Sequence, residues 1–356
     1  MNQNEILLFK ELCKLKSDTF DKSLLEYATP KVLGHLFFNR MQGIAYHNLK
    51  RHALLGMVNR EFRNSLKCAY EHNITRNNSF IICLSNLTKL LSTCNVNVAM
   101  LKGAYLCSHY PAGCRTSNDI DLLVLPNDVT VIGELLTKDG FKQGNIRNGE
   151  FIPATRKEII ESKMTRGETV PYIKQVDLPF MKYFEVDINF SLDYKNGETD
   201  TLDNILNNAH LVEENNILIP TLNKYDFFIH LCAHLYKEAT TLPWIEMHRD
   251  MTLYKYCDIY MLIEEMSLED LKNTFIRARE LNMEKVCAYS ILEASGLFDI
   301  DKYDAVKLAK GTLLDDPYFV LNIIDPKNKR TLRYQTYDVT TRFFMDDRTE
   351  DLKAVT

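Results

Sequence analysis

The sequence predicts an α+β fold: a small mixed β-sheet of about four or five strands, flanked by N-terminal and C-terminal helical regions. Three observations carry this expectation. Apolar residues recur at helical spacing up to about residue 95, β-type runs replace them between 96 and about 192, and helical spacing returns from about Thr201. The chain is therefore read as an N-terminal helical region 1–95, an α/β core 96–200 and a C-terminal helical domain 201–356.

The bulk numbers permit this and narrow the rest. With 46% hydrophobic and 26% charged residues over 356 positions, the chain can bury a sizeable core, and widespread disorder is not expected. A net charge of −5 argues against a general polyanion binder. Two stretches are locally basic: residues 40–89 hold eight Lys or Arg against two Glu, and residues 142–174 hold seven against four. They are read as solvated helix faces, with a phosphate-bearing ligand as the alternative. Nine cysteines, an odd number with no C-x-x-C pair, suit reduced thiols better than a disulfide framework or zinc ribbon. Met1-Asn2-Gln3-Asn4-Glu5 has no signal-peptide character, and the apolar runs are too short and too interrupted to cross a membrane. A cytoplasmic protein with no membrane partner is expected.

The elements follow in order. Ile6-Leu7-Leu8-Phe9 to Leu12 and Val32 to Phe38 have helical spacing, and Thr29-Pro30 reads as an N-cap with proline at the first helical position. A helix is expected from about Asn78 to Ser92. Val96 to Leu101 is a short strand ending at Lys102-Gly103, with a short helical segment to Tyr110 and a turn at Pro111-Ala112-Gly113. Asp119 to Leu125 is a second strand, and a helix runs from Pro126 to about Lys138, stopped by Asp139-Gly140. Arg156 to Met164 reads as helix, Thr169–Val176 and Tyr183–Leu192 as a strand pair, and Asn196-Gly197 as a turn. Asn223–Glu238, Met247–Glu265 and Leu268–Ser290 are read as helices. The tail beyond residue 300 ends in a charged, partly disordered stretch on this reading.

The chemistry lies in the acids of the central segment. Asp119 and Asp121 are two apart on a predicted strand, so both project from one face while Ile120 and Leu122 face the core. Carboxylates this close repel unless a cation sits between them, and an all-oxygen donor set suits Mg²⁺ or Mn²⁺. In the strand around Phe184-Glu185-Val186-Asp187-Ile188-Asn189-Phe190, Asp187 shares a polar face with Glu185 and Asn189. If the two strands are neighbours, Asp187 joins the pair as a third metal ligand and a candidate general base. D-x-D also arises by chance at solvated strand ends, but charges within an apolar strand are costly without a purpose.

The Leu101-Lys102-Gly103-Ala104 turn is the second element. Glycine admits a phosphate close to the backbone, a following helix N-terminus offers N–H groups, Lys102 adds a point charge and Arg115 a planar fork. The Walker pattern is absent.

The order strand, glycine turn, helix, D-h-D-h, then a separate strand with one Asp resembles the DNA polymerase β-like nucleotidyltransferase superfamily. The wording Leu101-Lys102-Gly103, Tyr110-Pro111, Arg115, Asp119-Ile120-Asp121-Leu122-Leu123-Val124 is similar to its uncharacterised nucleotidyltransferase branch, family 5, over roughly residues 30–290. The weaker helical part of the pattern is matched by Leu218-Ile219-Pro220, the helix from Tyr225 to His234, and Asp258-Ile259. The resemblance implies transfer of a nucleoside monophosphate from an NTP to an acceptor with pyrophosphate release. In that scheme Asp119 and Asp121 bind two metal ions, Asp187 binds one and is the base, and Lys102, Gly103, Ala104 and Arg115 hold the nucleotide. Two positions depart from the pattern: Ala104 stands where Ser is usual, and Asn189 where the third strand usually has His. Neither removes a carboxylate, so an active enzyme is expected. A small-molecule, peptide or protein acceptor is favoured over RNA or tRNA, and a non-catalytic nucleotide-binding module is the remaining alternative.

Other residues receive plainer readings. His230 and His234 share a helix face but lack the Glu of H-E-x-x-H, so core or interface histidines are expected. Trp244 is read as packing in a loop, and Asp250 and Asp258, placed on one helix, as salt-bridging or capping residues.

Overall fold

The structure is a computed structural model and describes residues 1–165, 167–192, 199–300 and 302–355. The expected turn at Asn196-Gly197 lies outside the described residues. The chain forms two compact units, one made of Met1–Tyr70 with Phe228–Thr356, the other of Glu71–Phe227.

The first helices are α1 (Gln3–Cys13), α2 (Pro30–Phe38), α3 (Gln42–Arg51) and α4 (Arg60–Leu91). Asn2 and Glu5 form a reciprocal capping box at the start of α1. Thr29 caps α2, with Pro30 in the first turn as the sequence implied. The helix expected to begin near Asn78 instead begins at Arg60 and runs 32 residues. Residues 60–77 are dominated by Arg, Asn, Glu, Lys and His, so no broad apolar stripe announced this first half.

The second unit is built on a six-stranded mixed sheet, one or two strands larger than expected. Along the chain come β1 (Val98–Met100), α5 (Gly103–Leu106), β2 (Asp119–Val124), α6 (Val129–Lys138), β3 (Lys142–Arg147), β4 (Glu150–Pro153), α7 (Arg156–Thr165), β5 (Tyr172–Leu178) and β6 (Met181–Asn189). The sheet order is β1-β2-β6-β5-β3-β4. Among the described residues of this sheet, only the β2–β6 pairing is parallel. Gly140, at φ 91°, ends α6 where the Asp139-Gly140 signal put its stop. After α8 (Thr199–Asn207), β7 (His210–Glu214) and β8 (Ile217–Thr221) make an antiparallel hairpin.

One face of the large sheet carries the core. Ile120, Leu122 and Val124 of β2 and Phe184, Val186 and Ile188 of β6 pack with Phe80, Leu84 and Leu87 of α4 and Ile132 and Leu136 of α6. Each such side chain contributes about 1.5–3 kcal/mol on burial. This face fixes the strand register, because a one-residue slip would turn every apolar side chain outward. The same constraint sends Asp119, Asp121, Glu185 and Asp187 to the opposite face.

The other unit receives α9 (Lys224–Ala239), α10 (Leu242–Glu246), α11 (Leu253–Glu265), α12 (Leu268–Glu280), α13 (Glu284–Phe298), α14 (Tyr303–Thr312), β9 (Asn322–Asp325), β10 (Arg330–Tyr334), α15 (Val339–Phe343) and β11 (Leu352–Ala354). Two expected helices are corrected. The one starting at Met247 starts at Leu253, and the one over Leu268–Ser290 is two helices broken at Asn282, which has φ 56°. The tail expected to be partly disordered forms α14, α15 and a three-stranded sheet in the order β11-β10-β9. Among the described residues no helix is long and apolar enough to cross a membrane.

Candidate active site

Parallel pairing of β2 with β6 sets Asp119 opposite Glu185 and Asp121 opposite Asp187. In-register residues of neighbouring strands share a face, so four carboxylates stand together on the side away from the core. Asp121 is buried, and the other three are partly buried. The sequence identified Asp119, Asp121 and Asp187 and put Glu185 on their face without a role; the register makes it Asp119's neighbour.

The electrostatics follow from this crowding. Burial is the largest cause that pushes the Asp187 carboxyl up to about 9, followed by the charges of Asp121, Glu185 and Asp119. Glu185 is raised for the same reasons, burial first and then Asp119 and Asp121. Without added positive charge, crowding on this face favours the protonated form of Asp187. A hard, all-oxygen donor set with surplus negative charge fits Mg²⁺ or Mn²⁺. Among the described residues, however, no three His, Cys, Asp or Glu side chains are already gathered round one point as a finished metal cage. The acids share a face and a field, but not yet a coordination sphere.

Two side-chain donors among the described residues reach Asp121 Oδ1. Lys102 Nζ is 3.0 Å away and Asn189 Nδ2 3.4 Å. Asn189, in place of the expected His, therefore still directs an N–H group at the central acid. Ser117 Oγ lies 3.3 Å from Asp119 Oδ1 and helps place that side chain.

The Lys102-Gly103 turn lies beside these acids because Leu101 N donates to Asp121 O at 2.9 Å, extending the β1–β2 ladder to the turn. Gly103 is needed for space. A Cβ there would lie 2.1 Å from Ser117 Oγ and 2.5 Å from Ser117 Cβ, and 3.8 Å from Arg115 Nη1. This also places the Arg115 guanidinium next to the turn. Ala104, expected to contact nucleotide, has its side chain in the apolar core, so only its backbone could face a ligand. The helix after the turn is a single four-residue turn, so its dipole adds little to anion binding.

Gly103→Ala is expected to destabilise the protein by about 1–3 kcal/mol, because the clash involves Ser117 Cβ as well as its rotatable hydroxyl. Ser117→Gly in the same chain should recover most of that loss in urea denaturation. An additive double mutant would contradict the packing argument.

A row of polar side chains on α4 holds the loop that carries Arg115. Asn73 Nδ2 donates to Gly113 O at 3.0 Å, Asn77 Nδ2 to Arg115 O at 2.8 Å, and Arg76 to Asn118 Oδ1 and Phe180 O, each at 2.7 Å. Positions 73, 76 and 77 share a helix face. Sequence reasoning missed these positioning residues, since the reading put the helix start beyond them.

A family model described as "uncharacterised nucleotidyltransferase" matches residues 30–299. The chain belongs to that family. Among solved structures, the chain is similar to an antigenic nucleotidyltransferase-like protein from Paracoccidioides brasiliensis, with 12% identity over 66% of this chain and 88% of that one. The TM-score is 0.35, too loose a likeness to bear on activity. No curated protein matches the chain.

The remaining residues singled out in the sequence take structural places in the unit made of the two chain ends. His230 is buried on α9, and the ring of His234 lies 6.5 Å from it, with Nε2 3.6 Å from Glu238 Oε1. Trp244 is on α10 rather than in a loop, with the Lys255 ammonium 5.9 Å from its ring centroid. Asp250 is a salt-bridging residue: it accepts from Arg348 Nε at 2.7 Å and Nη2 at 2.6 Å. It precedes α11 and is not on a helix with Asp258, which is buried within α11.

Proposed function

We propose that the chain transfers a nucleoside monophosphate from an NTP to a small-molecule, peptide or protein acceptor, with release of pyrophosphate. The β2–β6 register is the observation that supports this reading, since it sets four carboxylates on one face beside the Lys102-Gly103 turn and Arg115. On this reading Asp119, Asp121 and Asp187 are the residues that would hold Mg²⁺ or Mn²⁺. A bound pair of such ions would stabilise charge on the transferring phosphoryl group and make the attacking hydroxyl more acidic.

The chain's own groups do the rest. Asp187 takes up the acceptor's proton, from a carboxylate restored once positive charge offsets its neighbours. Lys102 and Arg115 bind triphosphate oxygens, the first as a point charge and the second as a fork. Gly103, with no Cβ, lets Ser117 pack against the turn beside Arg115. Nearby polar groups, Asn189 and Ser117, orient Asp121 and Asp119. The acidic net charge favours a small or peptidic acceptor over RNA, and the cysteines, present as free thiols, suit the cytoplasm.

Calorimetric titration with ATP, CTP, GTP and UTP, each with and without Mg²⁺, tests the reading. At least one NTP should bind in Mg²⁺ and lose most of its affinity in EDTA. Absence of binding by any NTP in Mg²⁺ would contradict it.

A further inference from the structure

Lys102 has φ 47° and ψ −115°, a conformation that turns usually give to glycine. The adjacent Gly103 is not among the positive-φ residues, so the strain falls on the lysine. The ammonium of this same residue lies against Asp121, with side-chain exposures of 25% for the lysine and 11% for the aspartate. The oxygen it touches belongs to the acid in register with Asp187. A lysine is suited to a temporary partner: its charge is compact and sits on a flexible four-carbon stem.

Building on the metal-dependent reading above, we propose that Lys102 is the site's own counter-ion, which holds Asp121 while no divalent cation is bound and yields that oxygen when one enters. Two cations cannot share one carboxylate oxygen at contact distance without strong repulsion. The neighbouring acids on the same face, for their part, offer a divalent cation further oxygen donors that an ammonium does not need. Once displaced, the ammonium is left beside the Gly103 turn, where triphosphate oxygens would arrive. One residue then links cation entry to nucleotide binding, and no bond is made or broken in the exchange.

The inference has a signature of opposite signs. Removing the ammonium should tighten the binding of a divalent cation alone and weaken the binding of cation with triphosphate. The test measures Mn²⁺ binding to the full-length chain by electron paramagnetic resonance, first without and then with inorganic tripolyphosphate. It compares wild type, Lys102→Met, Lys102→Gly, Asp121→Asn and Lys182→Met. Both Lys102 variants should bind Mn²⁺ alone about tenfold more tightly than wild type, and Mn²⁺–tripolyphosphate more weakly. Lys102→Gly relaxes the strained turn, so it should melt no lower than wild type, and misfolding would not account for the change. Lys182 pairs with Glu150, away from the acids, and its variant should bind Mn²⁺ as wild type does. Equal Mn²⁺ affinity in wild type and both Lys102 variants would overturn the counter-ion role and leave the cation site standing. A Lys182→Met effect as large as that of Lys102→Met would overturn it too. Mn²⁺ binding that is absent throughout, or unchanged by Asp121→Asn, would overturn both readings.

Discussion

Asp121→Asn is expected to lower the rate of pyrophosphate release by about a thousandfold, since in the proposed reaction it removes a cation-binding charge at the reacting phosphate and with it several kcal/mol of transition-state stabilisation. The position explains the size. Asp121 is the most buried of the four acids, stands in register with Asp187, and receives both Lys102 and Asn189 on one oxygen. Asparagine keeps the shape and removes the charge. The fold should be little affected. The Lys102 pair is partly exposed and contributes at most about 1 kcal/mol, while repulsion among the remaining acids is eased. Steady-state pyrophosphate release with a melting curve on the same sample checks this. Wild-type turnover, or a loss of turnover matched by unfolding, would contradict the assignment.

The largest stability effect is expected far from this chemistry in the sequence. Asp250 is fully buried and accepts two hydrogen bonds from Arg348, which is nearly as buried. Asp250→Asn would leave a guanidinium without its charge partner in the interior, which costs about 3–5 kcal/mol. Replacing both partners, as Asp250→Leu with Arg348→Met, should cost clearly less, because no unpaired charge remains. Chemical denaturation of wild type, both single variants and the double variant measures the coupling. A single-variant loss below about 1 kcal/mol would show that the interior relaxes around the charge. A second buried pair, Arg342 with Glu293, ties the same C-terminal tail into its unit. The ordering of this tail thus rests on two buried arginines, each paired with an acid far away in sequence.

That non-local dependence explains what the sequence concealed. The D-x-D strand was legible because period-two alternation is local: Ile120 and Leu122 must face the core, so Asp119 and Asp121 must not. The same held for Asp187 on β6. The neighbour relation between the two strands was not local, and it alone turns two acidic faces into one. The unit that joins residues 1–70 to 228–356 was invisible for the same reason, since no spacing pattern reports contact between chain ends.

Other gaps had local causes. The β3–β4 hairpin escapes the sequence because β3, Lys-Gln-Gly-Asn-Ile-Arg, shows no alternation of buried and exposed residues, and the β7–β8 hairpin corrects the helical reading from about Thr201. A usable signal was present at both turns. Asn148-Gly149 and Asn215-Asn216 have positive φ throughout, the requirement of a tight two-residue hairpin turn, and Asn and Gly meet it most readily. The sequence presents Gly103 as room for a phosphate. It also has no space for a Cβ beside Ser117, a constraint that comes from a residue fourteen positions away.

The most direct measurement follows the phosphorus atom. Wild-type protein with Mg²⁺ and cell extract is given the NTP that binds it, labelled at either the α or the γ position. Label from the α position should appear on an acceptor, label from the γ position only in pyrophosphate, and Asp187→Asn should abolish the first. Transfer of the γ label, or α labelling that survives in Asp187→Asn, would contradict the account.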